Sequence, residues 1–179
     1  ESPTVNAFFV RRLKPGVRHW PEDPGALASP VDGVVGAVGE IRGGTAIQAK
    51  GRDYPVAEMI VDPEGARALE GGRFLTLYLS PRHYHRVHAP VGGTIAHARH
   101  MPGGLFPVNA PAVSHVPRLF ATNERLLCAI DAAIGRVFVV AVGAYNVARI
   151  STAFDPAWGG ERAWVSNRRE ALPRERRYT

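Results

Sequence analysis

Three histidines, His83, His85 and His88, fall within six residues of the stretch Tyr78-Leu79-Ser80-Pro81-Arg82-His83-Tyr84-His85-Arg86-Val87-His88-Ala89-Pro90. Imidazole titrates near neutrality, so such a cluster can move protons. A His-x-x-His spacing can also present two imidazoles to one zinc ion. In an extended backbone His83 and His85 share one side and His88 takes the other, whereas in a turn His85 and His88 lie together. The apolar run Phe74 to Leu79 reads as a strand, and Ser80-Pro81 ends it. A strand that stops there delivers the histidines to a sheet edge, where they can face a cavity. Upstream, Asp32 in Ser29-Pro30-Val31-Asp32-Gly33 is the candidate carboxylate.

An internal repeat positions these residues. Ser29-Pro30-Val31-Asp32-Gly33-Val34-Val35 returns sixty residues later as Ala89-Pro90-Val91-Gly92-Gly93-Thr94-Ile95, and the same offset maps Gly43-Gly44 onto Gly103-Gly104. Self-similarity at a fixed period marks a repeated supersecondary unit. Each copy reads Pro-turn, strand, Gly-Gly turn, strand. The expected fold is mainly β (a β-rich α+β chain with few short helices), a pseudo-symmetric β sandwich or hybrid barrel. Asp32 corresponds to Gly92, so the architecture itself does not demand a carboxylate there. Asp before Gly otherwise caps its own turn.

The remaining chain divides into an extended N-terminal connector over 1–28, a β-rich domain over 29–155 and an Arg-rich tail over 156–179. Phe8 and Phe9 suit a short helix. Val56, Met59 and Ile60 recur at helical spacing within Tyr54 to Leu69 and read as core. A long Pro-punctuated loop is expected from Met101 to Pro117. Arg125 to Asp131, Arg136 to Val142 and Asn146 to Ala153 read as three strands. The tail, with Arg168-Arg169 and Arg174 to Arg177, reads as a solvated end.

At 179 residues with 45% apolar content, the chain is long enough to bury a core. The net charge of +6 is carried almost wholly by arginine, Lys14 and Lys50 being the only lysines. That charge suits anionic lipid or phosphate. No recognition motif or basic-aromatic platform points to nucleic acid. Cys128 is the single cysteine, which excludes a disulfide framework and a cysteine-ligated zinc site, and it reads as a small core residue. The longest apolar run, Val137 to Ala144, is far short of the ~20 residues that span a bilayer.

The histidine run together with Ser29-Pro30-Val31-Asp32-Gly33 resembles the phosphatidylserine decarboxylases, which use a self-generated pyruvoyl group. Further matching stretches occur in the family's order. They are Asn6-Ala7-Phe8-Phe9-Val10-Arg11 with Leu13-Lys14-Pro15-Gly16, Gln48-Ala49-Lys50-Gly51, Pro102-Gly103-Gly104-Leu105-Phe106-Pro107-Val108-Asn109 and Asn123-Glu124-Arg125. The likeness runs from near residue 6 to about residue 155.

The resemblance implies a specific chemistry. Loss of CO2 from an amino acid leaves electrons on Cα that need a conjugated sink. Pyridoxal phosphate would require a Schiff-base lysine, and neither Lys14 nor Lys50 sits in a suitable context. In the family the sink is the pyruvoyl group, formed by cleavage before a serine in a Leu-Gly-Ser type motif. By resemblance, Asp32, His88 and that serine form a self-cleavage triad, with His88 as general base and Asp32 orienting it. His85 is the candidate for proton delivery to Cα or for polarising the substrate carboxylate. His83 receives no role. His97, His100 and His115 read as surface or cavity-lining residues, and Tyr78, Tyr84 and Phe106 as packing.

The sequence holds no Gly-Ser pair: its serines follow Glu, Ala, Leu, Val, Ile and Val. The resemblance therefore places the pyruvoyl group on a serine-derived α chain outside residues 1–179, and no residue here is assigned to bind that cofactor or a metal. The chain is expected to be silent alone, resembling most of the β subunit and truncated at both ends. Expected partners are phosphatidylserine, the α chain and the cytoplasmic face of a membrane as a peripheral contact, with a homodimer as a candidate assembly. Two other readings compete within the likeness, a non-catalytic lipid- or subunit-binding relative and a decarboxylase of free amino acids. A third is a zinc hydrolase using Asp32, His85, His88 and His115.

Overall fold

The computed structural model describes residues 4–23, 25–48, 52–147, 150–155 and 174–178. Its order is α1 (Val5–Phe9), β1 (Val34–Glu40), β2 (Thr45–Gln48), β3 (Arg52–Pro55), α2 (Val56–Ile60), α3 (Pro63–Ala68), β4 (Arg73–Tyr78), β5 (Thr94–Met101), α4 (Ala110–His115), α5 (Leu119–Thr122), β6 (Arg125–Ala132), β7 (Gly135–Val142) and β8 (Arg174–Arg177). The strand-rich fold with few short helices is the one the sequence implies. Its sheets are small and open rather than closed into a barrel: β1 pairs with β4, β2 pairs with β3, and a four-stranded sheet runs β7-β6-β5-β8.

The repeat is visible in the backbone. β1 and β5 begin at equivalent positions, and each carries a register shift at the same place, between Val35 and Ala37 in one copy and between Ile95 and His97 in the other. The turns before them bond to each other reciprocally. Ala28 N–H donates to the Pro90 carbonyl, and His88 N–H donates to the Pro30 carbonyl, both at 2.8 Å. Ala28 and His88 are equivalent under the sixty-residue offset, as are Pro30 and Pro90. The two copies are thus stapled across a local pseudo-two-fold axis, with His88 and Ala28 as the two equivalent donors.

The copies diverge after their first strands. Gly43-Gly44 turns the chain into β2, as expected. Gly103-Gly104 instead forms one isolated bridge, from Gly104 to Asn123. Pro102 and Pro107 flank this segment and donate no hydrogen bond, so a second ladder does not extend. The loop beyond it carries α4, capped by Asn109 Oδ1, which accepts from Ala112 N–H at 3.0 Å, with Pro111 in its first turn.

The core joins the two copies. Ile41, Ala46, Val56, Ile60, Ala66, Met101 and Leu127 are buried together, with Met59, Phe74, Phe138 and Val140 against them. The expected core role of Val56, Met59 and Ile60 on α2 is therefore met. Ala98 and Leu126 form a second cluster that Cys128, Ile150 and Tyr178 adjoin, and burial pushes the Cys128 thiol up to about 11.

Two expectations for the C-terminal third change. Asn146 to Ala153 is not a strand among the described residues: Ala144 and Val147 close a tight turn with Asn146 at φ 65°, and residues 148 and 149 lie outside the description. Arg174–Arg177 is not a solvated end but a strand, antiparallel to β5. The open edge of β5 supplies main-chain partners whatever the arginine side chains do. Residues 156–173 lie outside the described residues.

Adjacent glycines test the fit at the second turn. A Cβ on Gly93 would sit 2.3 Å from the Asp131 carbonyl oxygen, whereas one on Gly92 would meet nothing within 4 Å. Gly93→Ala is expected to destabilise the full-length gene product by about 1–3 kcal/mol, and Gly92→Ala by a small fraction of that. Thermal or urea unfolding of the two variants measures the contrast.

Candidate active site

The site begins where β4 ends. Ser80 and His83 close a turn in both directions: His83 N–H donates to the Ser80 carbonyl at 2.9 Å, and Ser80 N–H donates to His83 Nδ1 at 3.2 Å. His83 therefore serves the backbone. Tyr84 turns inward and is buried.

His85 and His88 face different surroundings. His85 Nδ1 donates to the His83 carbonyl at 2.9 Å, which fixes the Nδ1–H tautomer of the neutral ring and leaves Nε2 as its basic nitrogen. Its ring packs on Phe9 of α1 at 4.4 Å. His88 Nε2 shares a hydrogen bond with the Tyr84 hydroxyl at 3.0 Å, the two rings lying nearly parallel at 19°. Trp20 meets the His88 ring edge-on at 5.9 Å. The turn itself lies at Ser80–His83, ahead of His85 and His88.

Asp32 lies two residues beyond Pro30, whose carbonyl holds His88. Its carboxylate hydrogen bonds go to Arg18: Arg18 Nε donates to Oδ1 at 3.0 Å and a terminal nitrogen donates to Oδ2 at 2.5 Å. The Arg18 hydrogen bonds hold the Asp32 carboxyl below the ordinary carboxylate range, opposed by partial burial. The positive charge of Arg18 adds to the lowering, followed by His83 and His88. The carboxylate is thus held by Arg18 rather than by the His88 imidazole.

The other histidines separate from this group. His97 and His100, expected on the surface or lining a cavity, are buried on β5. His97 faces Phe138, and His100 Nε2 bonds to Glu124 Oε1 at 3.0 Å. The burial follows from β5 lying inside the four-stranded sheet. His115 is exposed at the end of α4, its Nδ1 bonded to the Pro111 carbonyl. Among the described residues no group of three His, Cys, Asp or Glu side chains could hold a metal, so the four candidate zinc ligands are not gathered.

Sequence reasoning missed Arg18 and Trp20, which lie in the connector, and it read Tyr84 as packing alone. The Tyr84 hydroxyl on His88 makes it a polar member of the site. Its spacing four residues before His88 is a signal that a turn would bring the two together.

The Asn123-Glu124-Arg125 motif is structural. Asn123 is fully buried; its side chain accepts from Phe106 N–H and donates to the carbonyls of Phe106 and Gly143, at 2.8–2.9 Å. Arg125 donates to the carbonyls of Glu58, Met59, Phe120, Ala121 and Asn123, and burial lowers its pKa to about 10 against the raising charge of Glu58. These bonds fix the loop at Phe106, which is itself partly exposed.

A model of the family described as phosphatidylserine decarboxylase matches residues 5–172. A protein named phosphatidylserine decarboxylase proenzyme from Methylococcus capsulatus is 50% identical over 157 residues, which is 87% of this chain and 53% of that protein. Proteins of the same name from Acinetobacter baumannii and Xanthomonas campestris pv. campestris are 48% and 47% identical, over 83% and 88% of this chain and 53% and 55% of their own. The chain belongs to the phosphatidylserine decarboxylase family. It spans about half the length of the curated relatives it matches.

The electrostatics of Asp32 set a pH window. Its folded-state pKa is depressed, so the stabilisation is complete above the unfolded value of about 4 and is lost as pH falls through the folded value. Replacing Asp32 by Asn should therefore flatten the fall in melting temperature of the full-length gene product as pH drops below about 4. An unchanged slope in calorimetry would show that the pair contributes nothing to folding.

Proposed function

We propose that this chain is the larger, β-subunit portion of a pyruvoyl-dependent enzyme that converts phosphatidylserine to phosphatidylethanolamine and CO2. The observation that carries the proposal is the reciprocal turn pair that joins the His88 turn to the one carrying Asp32, with the Tyr84 hydroxyl bonded to His88 Nε2, in a chain about half identical to proteins named as proenzymes. A proenzyme matures by being cut, and an imidazole and an ionised carboxylate on paired turns suit a cut that the chain makes on itself. His88 takes the proton of the serine hydroxyl brought to it by the segment outside this chain. Asp32 stabilises the imidazolium so formed. Tyr84 holds His88 Nε2, from which that hydroxyl displaces it.

The donor set fits a cofactor carried on another segment: two imidazoles, a carboxylate and a phenol, with no lysine among them. The pyruvoyl group, when present, supplies the electron sink for decarboxylation. Of this chain's residues, His85 holds the proton for Cα. Its Nδ1 is fixed by the His83 carbonyl, so transfer runs through Nε2. Phe9 against the ring shields that transfer from water.

Exposed Phe8, Val10, Val17 and Trp20 flank the basic block Arg11, Arg12 and Lys14 along the connector. This pattern of apolar and basic side chains supports peripheral contact with the anionic cytoplasmic face of a membrane, from which the lipid substrate would enter. No described helix is long and apolar enough to cross a membrane.

The test is the intact mass of the full-length gene product. Two chains are expected, the smaller with an N-terminal pyruvoyl group. Asp32→Asn should slow cleavage by about 10⁴-fold and His88→Ala should leave one chain. His85→Ala should cleave normally yet lose decarboxylation by about 10²-fold or more. A single uncleaved wild-type chain would remove the pyruvoyl reading.

Vesicle co-sedimentation tests the membrane contact. Binding of the full-length product to vesicles with anionic lipid should fall when Arg12 and Lys14 are both replaced by Glu, and should be weak for neutral vesicles even with the native residues.

A further inference from the structure

The segment Val17–Trp20 belongs to neither the Ser-Pro-Val-Asp-Gly motif nor the histidine run, yet it touches both. Arg18 grips Asp32 at two points, and its remaining terminal nitrogen donates to the Val17 carbonyl at 2.8 Å. The guanidinium is thereby held from its own backbone on one side and fixes the carboxylate on the other. Two residues on, Trp20 contacts the His88 ring with its plane at 71° to it. One short stretch thus reaches both members of the acid–base pair.

We propose that Val17–Trp20 is a positioning strap for the Asp32–His88 pair, in which Arg18 aims the carboxylate and Trp20 limits the imidazole. The proposal rests on the self-cleavage reading given above.

The physical case is one of rotamer freedom. The Asp32 side chain is about a third exposed, at 32%. Without a partner it would turn among its rotamers in water. A planar guanidinium gripping both oxygens removes that freedom, which an ammonium cannot do as well. Each carboxylate oxygen has two lone pairs, so a grip by Arg18 leaves acceptor capacity for an imidazole N–H. The groups whose charge reaches Asp32 are Arg18, His83 and His88. Those against the His88 ring are Tyr84 and Trp20. Loss of Arg18 removes the strongest influence keeping Asp32 ionised, while loss of Trp20 leaves that influence in place. The two residues should therefore differ in their effect on pH dependence.

Self-cleavage of the full-length gene product, made in a cell-free system and followed in time across pH, separates these roles. Arg18→Gln should slow cleavage near neutral pH by about 10-fold or more. It should also move the acid limb of the rate profile to higher pH, because loss of a cation beside the pair lets the general base gain its proton more easily. Arg18→Lys keeps the charge without the fork, so its acid limb should return towards that of the native protein while its rate stays reduced. Trp20→Ala should slow cleavage with the acid limb unmoved, and Trp20→Phe should recover most of the loss. Circular dichroism of each product confirms that the compared chains are folded. A folded Arg18→Gln protein with native rate and pH profile, beside a blocked Asp32→Asn protein, would overturn the strap while leaving self-cleavage standing. Normal cleavage by Asp32→Asn would overturn the self-cleavage role of Asp32, and the strap with it.

Discussion

The two hydrogen bonds that join Ala28 to Pro90 and His88 to Pro30 hold the architecture together. Both are made by main-chain atoms, and both acceptors belong to prolines, which donate nothing in return. Each turn therefore gives one N–H and one carbonyl to the other, and the geometry closes only if the two copies face each other. A main-chain staple is indifferent to side chain, so its two donor positions are free to differ. One carries Ala28 and the other His88. The same holds further along the turns, where Asp32 faces an equivalent glycine. The scaffold is symmetric, while its titratable side chains, Asp32 and His88, have Gly92 and Ala28 as their counterparts.

The equivalent strands have different fates because their neighbours differ. Val38 on β1 is 71% exposed, while its counterpart Ala98 on β5 is fully buried. Among the described residues β1 pairs only with β4, whereas β5 is flanked by β6 and β8. Size follows burial: the position closed in by sheet and by Tyr178 carries a methyl group, and the open one carries a larger side chain. The shared bulge in β1 and β5 survives this divergence. A bulge bends its strand and re-aims the residues beside it. Here it follows each stapled turn by a few residues, so both copies leave the axis along the same path.

Much of this was legible in the sequence because it is local. β4, β6 and β7 come from uninterrupted apolar runs, α2 from helical spacing, and the duplicated unit from self-similarity at a fixed offset. Asp32 stood out against Gly92 for the same reason. What escaped depends on long-range partners. β8 carries an arginine-rich sequence with no strand pattern, and forms because β5 offers an open edge. His97 and His100 look like surface histidines until that edge is covered. Arg18 lies fourteen residues before Asp32, in a connector with no periodicity. The helix α4 was legible in principle, since Asn109 followed by Pro111 is a helix-start signature, but the density of prolines suggested a loop.

Hydrogen-bonding capacity separates the structural members of the motifs from the chemical ones. Asn123 directs its whole side-chain amide to main-chain groups, and Arg125 donates to five carbonyls. His83 accepts from Ser80 N–H and completes a turn. In each case the side chain replaces a missing secondary-structure bond, and a substitution would be felt as lost order. His85 and His88 are arranged otherwise. His85 gives one ring nitrogen to a carbonyl, which settles its tautomer and leaves the second nitrogen for proton exchange. His88 is anchored through its main chain, so its ring is not needed for the staple and rests against a single displaceable hydroxyl. A residue fixed by its backbone and loosely held at its titrating atom can exchange a proton without disturbing the fold. By that criterion His88 and His85 are the residues of this motif suited to chemistry, and His83 is not.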